Sequence, residues 1–318
     1  MRPPYTLDGY ILEQLTRIGE LIGAVKAGHL QKPPAVLRKR NRIRTIQGTL
    51  AIEGNTLSED QVTAILEGKH VLAKPSELQE VTNAIAVYEL LEELDPFKIT
   101  HFKKAHKVLM TGLIGDAGIF RKKGAGIMRG RQIAHIAPPA HLVPTQIEGL
   151  LNYLKHDRDP MLIKSCMAHY EIEFIHPFTD GNGRMGRLWQ TLSLMRYSPV
   201  FAYLHVEALV KLAQKEYYKA LAKADKTGDA GPFITFMLER IERALLDLLA
   251  TQRPKLTAAD RMAHFREAWG YGRFSRKDYM NIFPELSTAT ASRDLREAVE
   301  GKILKKSGDG RTSVYRFE

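Results

Sequence analysis

Apolar residues recur at helical spacing along most of this chain, and that periodicity constrains the fold more than any other feature. In the segment 76–94, Leu78, Val81, Ala84, Ile85, Tyr88, Leu90 and Leu91 return every three or four positions, the stripe of an amphipathic helix. Ser76 opens the segment and Gln79 follows three residues later, the pattern of a capping box. Segments 99–113, 144–156 and 160–175 have the same spacing, each bounded by Pro, Gly or Asp signals. Further helices are predicted over 185–197, 207–225 and 230–250. An alternating run at 124–139 around a Gly-Arg turn breaks the pattern and predicts a short hairpin or extended flap. Arg253-Pro254 marks a linker. Beyond it three short helices precede two strands joined by a Gly-rich turn over 307–312, a winged-helix order.

Composition narrows the class. The chain has 318 residues, enough for two or three domains, and 44% of them are hydrophobic, which excludes disorder as its general state. No run approaches the roughly 18–20 apolar residues of a membrane span. The N-terminus lacks a basic region leading into an apolar one, which predicts a cytoplasmic rather than secreted protein. Cys166 is the single cysteine, so an internal disulfide and any multi-cysteine zinc site are excluded. The net charge of +11 is divided as +6 over 1–50, −7 over 51–100, +6 over 101–150, +1 over 151–250 and +5 over 251–318. So uneven a distribution does not describe a nucleic-acid coat.

The chemistry is concentrated in the string His176-Pro177-Phe178-Thr179-Asp180-Gly181-Asn182-Gly183-Arg184-Met185-Gly186-Arg187, between two predicted helices. Gly181 and Gly183 let the backbone turn tightly and approach a ligand. The amides opening the next helix form an anion site suited to phosphate. Asp180 at the loop edge can hold Mg²⁺ against phosphate oxygens. Arg184 and Arg187, one turn apart, can clamp phosphate charge. His176 titrates near neutrality and is the natural general base. Gly181, Gly183 and Gly186 also match the spacing of a dinucleotide fingerprint, but the preceding segment is helical rather than a strand. Asp180 and Asn182 resemble the start of a calcium loop, but its twelfth position is Thr191 rather than Glu. A Gly-rich turn with a capping Asp would account for an isolated Asp-Gly-Asn-Gly, but not for the histidine and two arginines beside it.

The string resembles the signature of Fic-family enzymes, His-x-Phe-x-Asp/Glu-Gly-Asn-Gly-Arg-x-x-Arg, at every specified position. The resemblance extends over roughly 40–250. It implies a mainly α fold, with an N-terminal helical region at 1–95 and a helical catalytic core with a hairpin flap at 96–252, and the stretch at 257–318 separately resembles winged-helix sequences. It also implies transfer of AMP from ATP to a Ser, Thr or Tyr hydroxyl of a protein, including the chain itself. In that reading His176 deprotonates the target hydroxyl and Asp180 binds Mg²⁺. Gly181, Asn182 and Gly183 form the anion hole, Arg184 supports it, Arg187 meets the γ-phosphate and Tyr217 borders the base. Asp225 stands where many relatives have Asn. Gly183 stands where the Doc-like kinases have Lys, which favours nucleotidyl transfer over phosphorylation.

A second string, Thr49 to Asn55, ends a predicted helix with Glu53 against the negative dipole end and Gly54-Asn55 as its stop. It resembles the inhibitory motif of autoinhibited Fic proteins, in which the glutamate pairs with the second arginine, here Arg187. Relatives carrying that glutamate can also remove AMP. The flap resembles one that docks a target by strand addition. The rival reading is a nucleotide-sensing DNA-binding regulator. Thr288, Thr290, Ser292, Arg293 and Arg296 would enter a major groove, and Lys305, Lys306 and Arg311 would touch phosphates. Asp294, Glu297 and Glu300 on the same helix count against it. Homo-oligomerisation stays open.

Overall fold

The computed structural model describes residues 4–28, 32–129, 132–251, 257–284, 286–308 and 313–318. The chain divides into two compact units, 1–250 and 251–318. The linker at Arg253-Pro254 and the turns at Gly130-Arg131 and 309–312 lie outside the described residues, as does Arg311.

Helices dominate the first unit: α1 (Gly9–Ala27), α2 (Ala35–Ile52), α3 (Glu59–Leu66), α4 (Pro75–Glu89), α5 (Ile99–Met110), α6 (Val143–His156), α7 (Met161–Ile175), α8 (Asn182–Tyr197), α9 (Val206–Leu212), α10 (Gln214–Thr227) and α11 (Gly231–Ala250). Their apolar stripes meet in one continuous core, to which α1, α2 and α4 contribute Ile18, Leu50 and Val81. The regions 1–95 and 96–250 therefore share a core. At its centre is α7, buried on nearly all sides and packed on α6, α8 and α11.

Local chemistry sets the boundaries. Asp8 caps α1 by accepting from the Ile11 N–H, and Ser58 and Gln61 form a capping box on α3. The box expected at Ser76 and Gln79 does not form. Pro75 starts α4 one residue earlier, with Lys74 at the cap, and Gln79 instead donates to Asn83 at 2.8 Å. Proline is favoured at a first helical position because its missing N–H is not needed there. The helix expected over 207–225 is broken at Ala213, which lets α9 pack on α2 and α10 on α11.

Two strands, β1 (Gly126–Arg129) and β2 (Gln132–Ile136), pair antiparallel between α5 and α6, with an irregularity between Ile127 and Met128. They fall where the sequence predicts a hairpin.

The second unit has its own core, including Phe265, Phe274, Tyr279, Leu295 and Phe317. Its helices are α12 (Ala258–Trp269), α13 (Arg276–Ile282) and α14 (Thr288–Glu300), followed by the antiparallel pair β3 (Leu304–Ser307) and β4 (Val314–Phe317). Phe274 adds a bridge to Tyr315. Asp294, which the sequence leaves facing an unknown side, is buried. It accepts from Arg261 at 2.6 and 2.7 Å and from the Tyr279 hydroxyl at 3.0 Å.

Candidate functional site

The site lies where α7 ends and α8 begins. His176 caps α7 in the left-handed region, with φ 49° and ψ 60°. A non-glycine residue there costs on the order of 1–2 kcal/mol, so surrounding bonds must hold it. Arg121 supplies them. Its guanidinium donates to the carbonyls of His176 at 2.7 Å, Ile175 at 3.1 Å, Pro138 at 2.5 Å and Lys123 at 2.8 Å. Its own N–H donates to the Pro177 carbonyl at 2.9 Å. One buried arginine thus ties the turn carrying His176 to the segment following β2.

The loop from Phe178 to Gly181 rests on His106, whose ring stacks on Phe178 at 3.5 Å and 4°. The Gly118 N–H donates to Nδ1 of His106 at 2.8 Å, so the proton of the neutral ring is on Nε2, which donates to the Asp180 carbonyl at 2.9 Å. Gly181 has φ 81° and precedes α8, and a Cβ there would lie 2.7 Å from the Met110 sulfur. The first-turn amides of α8 have no partners within the helix and carry its positive dipole end. Together with the glycines they make a cluster of donors of the kind that can receive phosphate oxygens.

The side chains of the string have distinct surroundings. Asn182 is buried and locked to Phe178 at both ends: its Oδ1 accepts from the Phe178 N–H and its Nδ2 donates to the Phe178 carbonyl, each at 2.9 Å. The Asn182 side chain therefore shapes the loop. The Asp180 carboxylate is 62% exposed. It accepts from the Gly181 N–H at 2.6 Å and lies 3.5 Å from Arg184. Among the described residues no group of three or more His, Cys, Asp or Glu side chains could hold a metal ion. One open carboxylate beside those amide donors nonetheless fits Mg²⁺, which keeps several waters and binds through one or two carboxylates plus substrate phosphates.

Both arginines of the string are buried and held by acids from distant elements. Arg187, 2% exposed, donates through Nε to the Thr49 hydroxyl at 2.8 Å, and through Nη2 to the Thr49 carbonyl at 3.1 Å and to Glu53 Oε1 at 2.6 Å. Burial opposes its charge, but Glu53, Tyr217 and Glu173 outweigh that and raise its pKa. Arg184, 4% exposed, meets Glu80 at 3.2 Å. Gly183 packs between these groups: a Cβ there would be 2.5 Å from Glu53 and 3.0 Å from Glu173. A lysine at this position could not coexist with Glu53 as placed.

Glu53 is the C-cap of α2, and that helix end is anchored from two sides. Lys211 donates to the Ala51 carbonyl at 2.7 Å and Gln214 to the Ile52 carbonyl at 2.9 Å, capping the negative dipole end. Across the turn, Asn55 donates to Glu80 at 2.8 Å, and Thr56 donates to Glu77 through its N–H at 2.9 Å and its hydroxyl at 2.8 Å. Gly48 allows α2 to approach α9 so closely that a Cβ would lie 2.7 Å from the Ala208 backbone.

Tyr217 is wholly buried, its hydroxyl donating to Glu173 at 3.0 Å and lying 3.0 Å from His169 Nε2. It supports the site from inside the core. The half-buried ring is its neighbour Tyr218, whose hydroxyl pKa is raised by burial and then by Glu53. Asp225 accepts from the Tyr170 hydroxyl at 3.0 Å. Arg121, His106, Glu80, Glu173 and Tyr218 thus take part in this cluster without having been singled out in the sequence.

The buried imidazoles make stability pH-dependent. Burial pushes His106 down to about 4 and His169 down to about 3. An unfolded histidine binds its proton near pH ~6.5. Below that pH the unfolded chain takes up two protons that the fold refuses, so stability falls as pH falls. Glu171 acts oppositely. Burial raises it to about 7, so it keeps a proton that the unfolded chain loses above roughly pH 4.5, and this favours the acid side. Burial also lowers His205, which acts with the other two imidazoles, and raises Glu207, which acts with Glu171; with three groups against two, the melting temperature is expected to be lower near pH 5 than near pH 7. An equal or higher value near pH 5 contradicts this.

Comparison with known proteins points one way. The model of the Fic/DOC family matches residues 96–194. A crystal structure of a Fic family protein from Desulfovibrio desulfuricans G20 superposes with TM-score 0.77 at 42% identity, covering 100% of this chain and 98% of that one. Protein adenylyltransferase fic-1 of Caenorhabditis elegans is 31% identical over 68% of this chain and 43% of its own length. Protein adenylyltransferase Fic of Nematostella vectensis is 28% identical over 77% of this chain and 57% of its own. The chain spans about half the length of these curated relatives.

Proposed function

The chain belongs to the Fic family, and on that premise we propose that it is a protein adenylyltransferase whose resting state is autoinhibited by Glu53. The substrates are ATP and a Ser, Thr or Tyr hydroxyl of a protein, the chain itself included. His176 takes the proton of that hydroxyl, whose oxygen attacks the α-phosphorus in line. The bond to the pyrophosphate oxygen breaks and pyrophosphate leaves. The amides of Asn182 and Gly183 at the head of α8 receive the charge of the α-phosphate, electrostatic stabilisation by groups already in place. Asp180 would hold Mg²⁺, which neutralises phosphate charge. The observation that carries this reading is the position of His176 at the left-handed end of α7, one short loop before the amides that open α8 at Asn182.

Inhibition follows from the hydrogen bond between Arg187 and Glu53. While Glu53 holds Nη2 of Arg187, a γ-phosphate must displace a carboxylate to reach it. The space around Gly183 supports AMP transfer over phosphate transfer, since a kinase-type lysine there would collide with Glu53. Tyr218 rather than the buried Tyr217 borders the base in this proposal. The β1–β2 hairpin would dock the target as an added strand, and removal of AMP with Glu53 in place belongs to the same proposal. Incubation with labelled ATP and Mg²⁺ tests transfer. A cytoplasmic location belongs to the same proposal; among the described residues no helix is long and apolar enough to cross a membrane.

A second reading concerns the other unit, which we take as a winged helix that binds DNA. The burial of Asp294 in its bonds with Arg261 and Tyr279 favours it, because that acid is removed from the face that would meet phosphate. Arg293 and Arg296 stay exposed on α14, although Glu297 and Glu300 share that exposure. A gel shift with duplex DNA is expected to show binding that weakens steeply as salt rises, by about one decade per decade of salt for each phosphate contacted. No shift at low salt sinks this reading.

A further inference from the structure

Glu80 lies on α4, outside both strings, yet one carboxylate of this residue touches both. Its Oε1 is 3.2 Å from Nη1 of Arg184, and its Oε2 accepts from Asn55 at 2.8 Å. The other neighbour of Arg184 is Asp180, 3.5 Å away. Arg184 is almost wholly buried, whereas the Asp180 carboxylate is largely exposed. A buried guanidinium needs a counter-charge, because an unpaired charge in the interior is strongly disfavoured. Glu80 shares that role with Asp180, at 3.2 Å against 3.5 Å, and the Asp180 carboxylate stays largely exposed.

We propose that Glu80 is a positioning residue that shares Arg184 with Asp180 and keeps the guanidinium from closing fully on it, leaving the Asp180 carboxylate available to Mg²⁺-bound nucleotide, while the same Glu80 carboxylate anchors the inhibitory segment through Asn55. This rests on the reading of the site as one for ATP and Mg²⁺. Without the charge of Glu80, Arg184 closes on Asp180, the acid it already meets at 3.5 Å, and that carboxylate must leave the guanidinium before it can meet a cation. Asn55 uses the other oxygen, so losing its amide loosens the segment carrying Glu53 and leaves the pair between Glu80 and Arg184 in place.

The test is calorimetric titration with a non-hydrolysable ATP analogue across a Mg²⁺ series, using the Glu53→Gly protein as reference. Adding Glu80→Gln is expected to raise the Mg²⁺ midpoint for analogue binding about tenfold, the loss of one charge-assisted contact, while affinity in chelator changes less than about twofold. Adding Asn55→Ala instead is expected to leave the midpoint in place. In the protein that retains Glu53, Asn55→Ala is expected to tighten the analogue. An unchanged midpoint in Glu80→Gln overturns the proposal, as does an equal shift with and without Mg²⁺ or an equal shift in Asn55→Ala. Should Glu80→Gln fail to fold, Glu80→Asp keeps the charge and is expected to hold the midpoint near the reference; a tenfold shift there would make the role one of packing alone. AMP transfer is not measured in this titration. Absence of transfer with the midpoint shift intact would therefore sink the functional reading and leave the role of Glu80 standing.

Discussion

Replacing Glu53 by glycine is expected to raise AMP labelling of the protein, or of a target, by about ten- to a hundredfold at limiting ATP. Glu53 gives Arg187 a charged hydrogen bond of 2.6 Å, and such bonds are worth roughly 1.5–3 kcal/mol, or one to two decades of affinity. Arg187 keeps its two bonds to Thr49 in the variant, so the guanidinium stays in place and presents Nη2 to phosphate. Glycine is also mild for the backbone, because the position is a helix C-cap followed by Gly54 at φ 97°. The gain should appear mainly in the ATP concentration needed for half-maximal rate. Equal labelling by wild type and the variant would remove the switch from this account.

The second large effect is the loss of transfer on replacing His176. A positioned general base contributes about 10²- to 10⁴-fold to rate, so His176→Ala should reduce labelling to background even with Glu53 removed. Backbone geometry recommends His176→Asn as the companion variant, since Asn tolerates the left-handed region better than most residues. In both variants Arg121 still binds the carbonyl of residue 176 and of Ile175. Nucleotide affinity is therefore expected to survive while rate does not. Labelling that persists in both variants would overturn the mechanism.

These effects are local to strings that the sequence displays, and the reason is physical. Helix periodicity and glycine loops are short-range signals, so the helix-loop-helix around the string was legible from residue types and spacing. The groups that hold the site come from afar. Arg121 reaches across 55 residues, Glu80 across 104 and Thr49 across 138. No local pattern marks a single acid on α4 as the partner of an arginine on α8. The tyrosine pair shows a different limit. Adjacent helix residues point about 100° apart, so the sequence motif alone does not say which ring faces the core. The burial of Tyr217, Leu221 and Ala224 at positions i, i+4 and i+7 answers it, and that spacing was visible in the sequence. Ser76 illustrates competition between local signals, where Pro75 took the first helical position and left the serine inside the turn.

One measurement tests the central claim most directly: the intact mass of the Glu53→Gly protein after incubation with ATP and Mg²⁺, beside the same protein carrying His176→Asn. An added mass equal to one AMP unit is expected, and it is absent when His176 is replaced. An added mass equal to a phosphate alone would make the chain a kinase despite Gly183. No added mass on the protein or on any protein of a cell extract, with nucleotide bound, would contradict adenylyl transfer altogether.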